Sequence, residues 1–129
     1  MKVIKTNQLP ESRKVKFHAG VSNRIILLED EMGYTFTKTV ISPDAGRVFQ
    51  HYKNHLESCY CVKGKAVLTN ATTGEEFIIT PDTTYILDEN DPHFFEAIDE
   101  TVLLCVFNPP LTGNEIHDEE GSYEVFCVK

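Results

Sequence analysis

Short β-rich, largely apolar runs alternate with polar turn clusters along this chain, at residues 25–28, 34–41, 58–62, 66–70, 76–79, 84–87, 94–97 and 101–107. They are rich in β-branched and aromatic side chains. Turn-forming clusters separate them: Glu31-Met32-Gly33, Ser42-Pro43-Asp44-Ala45-Gly46, Lys63-Gly64-Lys65, Thr72-Thr73-Gly74, Pro81-Asp82 and Glu89-Asn90-Asp91-Pro92. Regularly spaced short strands with such punctuation predict an all-β sandwich or barrel. Only residues 5–15 and the tail after Gly113 are left for short helices, and Pro10 weakens the first.

Side chains alternate across a strand, so Glu57, Cys59 and Cys61 share one face, with Tyr60 and Val62 on the other. Tyr85 and Leu87 share a face, as do Cys105 and Phe107. With Glu57 pointing into a barrel, these neighbours line the lumen. An ionised carboxylate there is costly unless it is paired or bound to a metal. Two segments then read together as a metal pocket: His51-Tyr52-Lys53-Asn54-His55-Leu56-Glu57, closed by Gly64, and Thr84-Tyr85 followed by Asp91-Pro92-His93. Glu57, Tyr85 and His93 offer two oxygens and an imidazole from three strands.

The chain has 129 residues and 41% hydrophobic content, as expected for one globular domain over residues 1–129. No apolar run approaches the roughly 20 residues of a membrane helix. A net charge of −8 disfavours nucleic acid and anionic membranes as partners. Met1-Lys2-Val3-Ile4-Lys5 lacks the apolar stretch of a signal peptide, so the expected location is the cytoplasm. Cys59, Cys61, Cys105 and Cys127 follow no zinc-finger or thioredoxin spacing. They read as reduced thiols that pack as small hydrophobes. A metal or redox role stays open for Cys59 and Cys61, which share the face of Glu57.

Two short motifs resemble those of cupins. Glu57 and Gly64 have the first motif's spacing of Glu, six residues, Gly, whereas its two histidine positions hold His51 and Lys53. The second motif runs Gly, five residues, Pro, one, Gly, two, His. Its positions here hold Asp82, Asp88, Asn90 and His93, so only the histidine survives. A more specific resemblance is to the ectoine synthase family. It is carried by Tyr52-Lys53-Asn54-His55-Leu56-Glu57, Tyr60-Cys61-Val62 and Tyr85-Ile86-Leu87-Asp88. The long block Cys105-Val106-Phe107-Asn108-Pro109-Pro110-Leu111-Thr112-Gly113 continues it, followed by Glu115, His117-Asp118-Glu119 and Gly121.

That resemblance implies a small cupin-type β-barrel, or jelly roll, that forms a homodimer and holds one Fe(II), with Zn(II) or Mn(II) as substitutes. It implies closure of N4-acetyl-L-2,4-diaminobutyrate into ectoine with loss of water. Carried over by motif, Glu57, Tyr85 and His93 hold the metal. Tyr52, His55, Arg24, Thr39, Leu87, Phe107, Glu115 and His117 surround the substrate, and an asparagine-type contact falls on Thr37. Of these, Tyr52 and His55 are the acid–base candidates, and Arg24 suits a bidentate clamp on the substrate carboxylate. Plainer readings exist for several: aromatic packing for Tyr52 and Tyr85, a surface loop for His55, and ion pairing with Glu29 or Asp30 for Arg24. The family's tryptophan four residues before the Arg24 position is Gly20 here, and the chain has no tryptophan. The loop over residues 42–50 also differs. These departures touch the region that encloses substrate. They keep two alternatives in view: a relative acting on another N-acylated diamino acid or on the cyclic product, and a non-catalytic solute-binding barrel.

Overall fold

The computed structural model describes residues 1–115. Ten strands run in chain order: β1 (Lys14–Phe17), β2 (Gly20–Ile26), β3 (Thr35–Ile41), β4 (Arg47–Gln50), β5 (Leu56–Lys63), β6 (Ala66–Asn70), β7 (Glu76–Ile79), β8 (Thr84–Leu87), β9 (His93–Ala97) and β10 (Thr101–Asn108). They form two antiparallel sheets, one ordered β1-β2-β3-β10-β5-β8 and the other β4-β9-β6-β7. The fold is the all-β barrel expected, of cupin type. The only helical pieces among the described residues are single 3-10 turns, such as Thr6–Gln8 and Glu11–Arg13. No helix there is long and apolar enough to cross a membrane.

Alternation places the core. In β5, Glu57, Cys59 and Cys61 are buried while Leu56, Ser58, Tyr60 and Val62 are exposed. In β10, Cys105 and Phe107 are buried while Val106 and Asn108 are exposed. The inner faces of both sheets supply one hydrophobic cluster, with Cys59, Leu87, Leu103 and Phe107 from one sheet and Ala66, Leu68, Phe95 and Ala97 from the other.

Register sets the inward side chains in transverse rows. One row crosses five strands: Tyr85, Cys59, Cys105, Thr37 and Arg24 are successive partners from β8 to β2. The adjacent row is Leu87, Glu57, Phe107 and Thr35. A third holds Cys61, Leu103, Thr39 and Ser22. Residues separated by many positions in sequence are thus neighbours on one surface.

Three turns explain the motif residues. Gly64 joins β5 to β6 at φ +99°, and a Cβ there would lie 2.3 Å from the Glu100 carbonyl oxygen, so only glycine fits. Asp82 and Asn90 occupy the second motif's two glycine positions and keep positive φ, at 68° and 51°. Asx residues tolerate that region better than other side chains do, so the turn geometry survives the loss of glycine.

Two strands were not expected from the sequence. β1 and β4 are four-residue strands, and each pairs with one neighbour only, β2 and β9. The run at 25–28 is also revised: the strand begins at Gly20 and ends at Ile26, and residues 28–30 form a 3-10 turn. Asp30 closes that turn by accepting from Leu27 N at 2.8 Å.

Candidate active site

The rows enclose a cavity of about 30 Å³, room for an ion with one or two waters. Glu57, Tyr85, Cys105 and Phe107 form its wall from the larger sheet, Thr39, Ser22 and Leu103 extend it, and Gln50 closes it from β4. Tyr52 enters from the loop before β5, and Phe17 from β1.

Glu57 is 7% exposed. Burial pushes its carboxyl up to about 7, although the Cys59 and Cys105 thiols donate hydrogen bonds to it. Burial also drives the Cys59 thiol and the Tyr85 phenol upward, and the Tyr85 hydroxyl donates to Cys59 Sγ. One Cys Sγ from each of Cys59 and Cys105 and a Glu57 carboxylate oxygen lie within 4.8 Å of one another. This donor set fits a divalent ion: a buried acid and a half-buried phenol face one small cavity, and a cation there offsets the desolvation that holds both in their neutral forms.

The structure brings Glu57 and Tyr85 to the same wall. His93 approaches from the facing sheet. Its ring is engaged on both sides, by the Asp91 carbonyl at 2.9 Å on Nδ1 and by Gln50 Oε1 at 3.3 Å on Nε2. His93 therefore meets the cavity through Gln50. Burial lowers its basicity, leaving the neutral imidazole that a metal requires.

Tyr52, His55 and Phe107 form an aromatic corner. The Phe107 ring centroid lies 5.4 Å from Tyr52 and 6.2 Å from His55, both nearly perpendicular. His55 is 2% exposed rather than a surface residue, and burial lowers its basicity against an opposing pull from Glu115. Asn90 fastens this corner, donating from Nδ2 to the carbonyls of Tyr52 at 3.0 Å and His55 at 3.2 Å. The Asx residue at the old glycine position thus holds the acid–base candidates in place as well as turning the chain.

Thr39 lines the cavity, and Thr37, buried beside it, shares a hydroxyl contact with it at 3.3 Å. Leu87 is buried but faces a second cleft with Leu68, Asn70 and His93. Arg24 lies at the end of the Tyr85 row. Its Nη2 donates to the Glu115 carbonyl at 2.8 Å. Glu29 and Asp30, the surface partners considered for it, pair with Arg13 instead. The Glu115 carboxylate accepts from Thr112 N at 2.7 Å, Gly113 N at 2.9 Å and Thr112 Oγ1 at 2.9 Å. Leu111 N donates to Thr35 Oγ1 at 2.7 Å, and Leu28 N to the Leu111 carbonyl at 2.8 Å. The C-terminal block is thereby sewn across β2 and β3. His117 lies outside the described residues.

Sequence reasoning missed Gln50 and Phe17, both on the two short strands it did not predict. Phe17, the register partner of Gly20, adds an aromatic side chain to the cavity wall. Gly20 itself has no room for one: a Cβ there would sit 1.8 Å from the Val40 carbonyl oxygen.

Comparison with known proteins shows the family and the fold. A family model described as ectoine synthase matches residues 1–126. An L-ectoine synthase from Marinomonas sp. is 46% identical over 81% of this chain and 80% of its own length. One from Aliivibrio fischeri is 45% identical over 88% of each. The crystal structure of ectoine synthase from P. lautus superposes with a TM-score of 0.85 at 34% identity, covering 100% of this chain and 94% of that one. EutQ from Clostridium difficile, at 13% identity and a TM-score of 0.63 over 79% of this chain and 80% of its own, shares the fold alone.

Proposed function

The chain belongs to the ectoine synthase family, and we infer that it is a lyase that closes N4-acetyl-L-2,4-diaminobutyrate into ectoine with a divalent metal, Fe(II) in preference to Zn(II) or Mn(II). The observation that carries this reading is the pairing of buried Glu57 and half-buried Tyr85 on one ion-sized cavity beside the Tyr52–His55–Phe107 corner. Glu57, Tyr85 and His93 are the proposed ligands. Two oxygens and an imidazole suit Fe(II).

In the reaction the substrate's α-amine attacks the carbonyl carbon of its own acetamide. One C–N bond forms, and the former carbonyl oxygen leaves as water. When bound, the metal supplies Lewis-acid polarisation of that carbonyl. His55, kept neutral by burial, accepts a proton from the amine. The Tyr52 hydroxyl delivers one to the departing oxygen. Phe107 and Phe17 wall the cavity with apolar surface that folds the flexible substrate toward its cyclic shape and excludes water. Thr39 and Thr37 offer hydroxyls to the substrate's polar end. Arg24, at the end of the row, is the cation for its carboxylate, with Glu115 fixing its orientation. His117 and Leu87 complete the proposed substrate shell.

The test is direct. Iron-loaded protein incubated with N4-acetyl-L-2,4-diaminobutyrate should yield a product lighter by one water, with the mass and chromatographic behaviour of ectoine. An unchanged substrate overturns the reading. The absence of tryptophan from the chain favours one second reading, a related N-acylated diamino acid, which a panel with altered acyl groups separates by relative kcat/KM.

We also propose a homodimer. The outer faces of β5, β8 and β10 expose Leu56, Tyr60, Val62, Ile86 and Val106, an apolar strip beside the edge strand β8. Light scattering should give twice the 14.6 kDa chain mass. A reducing, cytoplasmic setting fits the three free thiols at Cys59, Cys61 and Cys105.

A further inference from the structure

We propose that Gln50 is a further residue of the cyclisation site: its side-chain amide donates a hydrogen bond to the substrate's acetamide oxygen as that oxygen gains negative charge. The inference rests on the cyclising reading above and keeps its ligand set of Glu57, Tyr85 and His93.

Position is the first observation. Gln50 ends β4, is half-buried, and is the direct partner of His93 across β4 and β9. Among the described residues, it is the one side chain that the smaller sheet sends to the ion-sized cavity, whose other wall holds Glu57 and Tyr85. Ser22 and Thr39 also line the cavity, but their row is separated from that of Glu57 by the Tyr85 row. Tyr52 is already assigned the proton that the departing oxygen needs. An uncharged donor beside the acetamide oxygen is therefore left to Gln50.

Hydrogen bonding is the second observation. The Asp91 carbonyl can only accept, so His93 Nδ1, 2.9 Å away, carries the ring proton and the neutral imidazole presents its lone pair on Nε2. A backbone carbonyl on the far nitrogen is the usual orienting contact of a metal-binding histidine. The Gln50 amide covers Nε2 at 3.3 Å. A lone pair takes a donor, so the amide makes the half-turn that exchanges its oxygen and nitrogen and gives its NH2 to the ring. Once Nε2 serves as a ligand, that lone pair is used and the Gln50 N–H groups need a new acceptor beside the cavity. The substrate's acetamide oxygen is that acceptor.

The chemistry follows. As the amine attacks, the C–N bond forms and the C=O π pair moves onto oxygen. A preorganised amide N–H strengthens its hydrogen bond to that oxygen as the charge builds. Gln50 transfers no proton, and the oxygen still leaves as water with protons delivered by the acid–base residues.

Gln50→Met keeps the side chain's length and removes both N–H donors, and Gln50→Leu is the second variant should the first fail to fold. In the iron-loaded proteins, kcat for N4-acetyl-L-2,4-diaminobutyrate should fall by about 10²–10³, with KM changed far less. Fe(II) affinity, measured by chelator competition, should be no weaker than in the wild type, because the group that covered His93 Nε2 is gone. A variant with wild-type kcat overturns the inference. So does a loss of kcat matched by loss of Fe(II), which would make Gln50 a prop for His93. A wild-type protein that leaves the substrate unchanged overturns the cyclising reading itself, and the role of Gln50 with it.

Discussion

Arg24 and Glu115 meet twice: Arg24 Nη2 donates to the Glu115 carbonyl at 2.8 Å, and Nη1 lies 4.0 Å from Glu115 Oε1, with both side chains at most 2% exposed. This buried contact fastens β2 to the C-terminal block. Removing one charge strands the other in a dry environment, so Arg24→Met should cost about 3–5 kcal/mol in urea unfolding. Adding Glu115→Gln to it should cost less than the sum of the single changes, because no orphaned charge is left. Additive losses would mean the two charges do not interact.

The metal-free protein should lose stability as pH rises. The Glu57 carboxyl is lifted from 4.5 to about 7, so the folded state holds a proton that the unfolded state has released. The stabilising protonated form is fully present in both states below about pH 4.5, and the penalty grows until the folded carboxyl ionises near 7. The lift corresponds to about 3 kcal/mol. Buried His55 and His93, whose basicity is lowered, oppose this trend by favouring folding as pH rises toward their unfolded value. The wild-type minus Glu57→Gln difference in urea unfolding isolates the carboxylate. That difference should move against the wild type between pH 4.5 and 7, and a flat difference would refute burial as the cause.

Glycine positions should separate by the space around them. Gly64→Ala forces a Cβ to 2.3 Å from Glu100 O at φ +99° and should cost on the order of 2–3 kcal/mol or more. Gly33→Ala, at φ +84° with nothing within 4 Å, meets only the left-handed penalty of about 1 kcal/mol. Thermal melting compares them, and equal drops in Tm would contradict the close approach at Gly64.

Tyr52→Phe and His55→Ala should retain iron while slowing turnover by roughly 10²-fold or more. Both residues sit beside the cavity, held by Asn90 and packed on Phe107, rather than among the proposed ligands. Loss of iron in either variant, by elemental analysis, would move that residue into the metal's coordination shell.

Several strands were legible in the sequence from β-rich composition between turn clusters. β6, β7 and β8 match the expected runs at 66–70, 76–79 and 84–87 end to end. The inward face of Glu57, Cys59 and Cys61 followed from period two alone. β1 and β4 were not legible, although β7 and β8 are equally short, and Phe17 and Gln50 were lost with them. The apparent decay of the second motif was misleading for a physical reason. Asp82 and Asn90 reach the left-handed region that glycine had occupied, and Asn90 adds two hydrogen bonds that glycine cannot make. Sequence also could not show that Gln50 stands between His93 and the cavity, since that contact depends on the pairing of the unpredicted β4 with β9.

The central claim is that Glu57 anchors the metal on which cyclisation depends. The most direct measurement is iron content and turnover of N4-acetyl-L-2,4-diaminobutyrate in Glu57→Ala, alongside circular dichroism to confirm the fold. The account predicts that iron and activity are lost together while the barrel persists. A folded Glu57→Ala protein that keeps full iron and full turnover would contradict it, leaving the carboxylate a structural group.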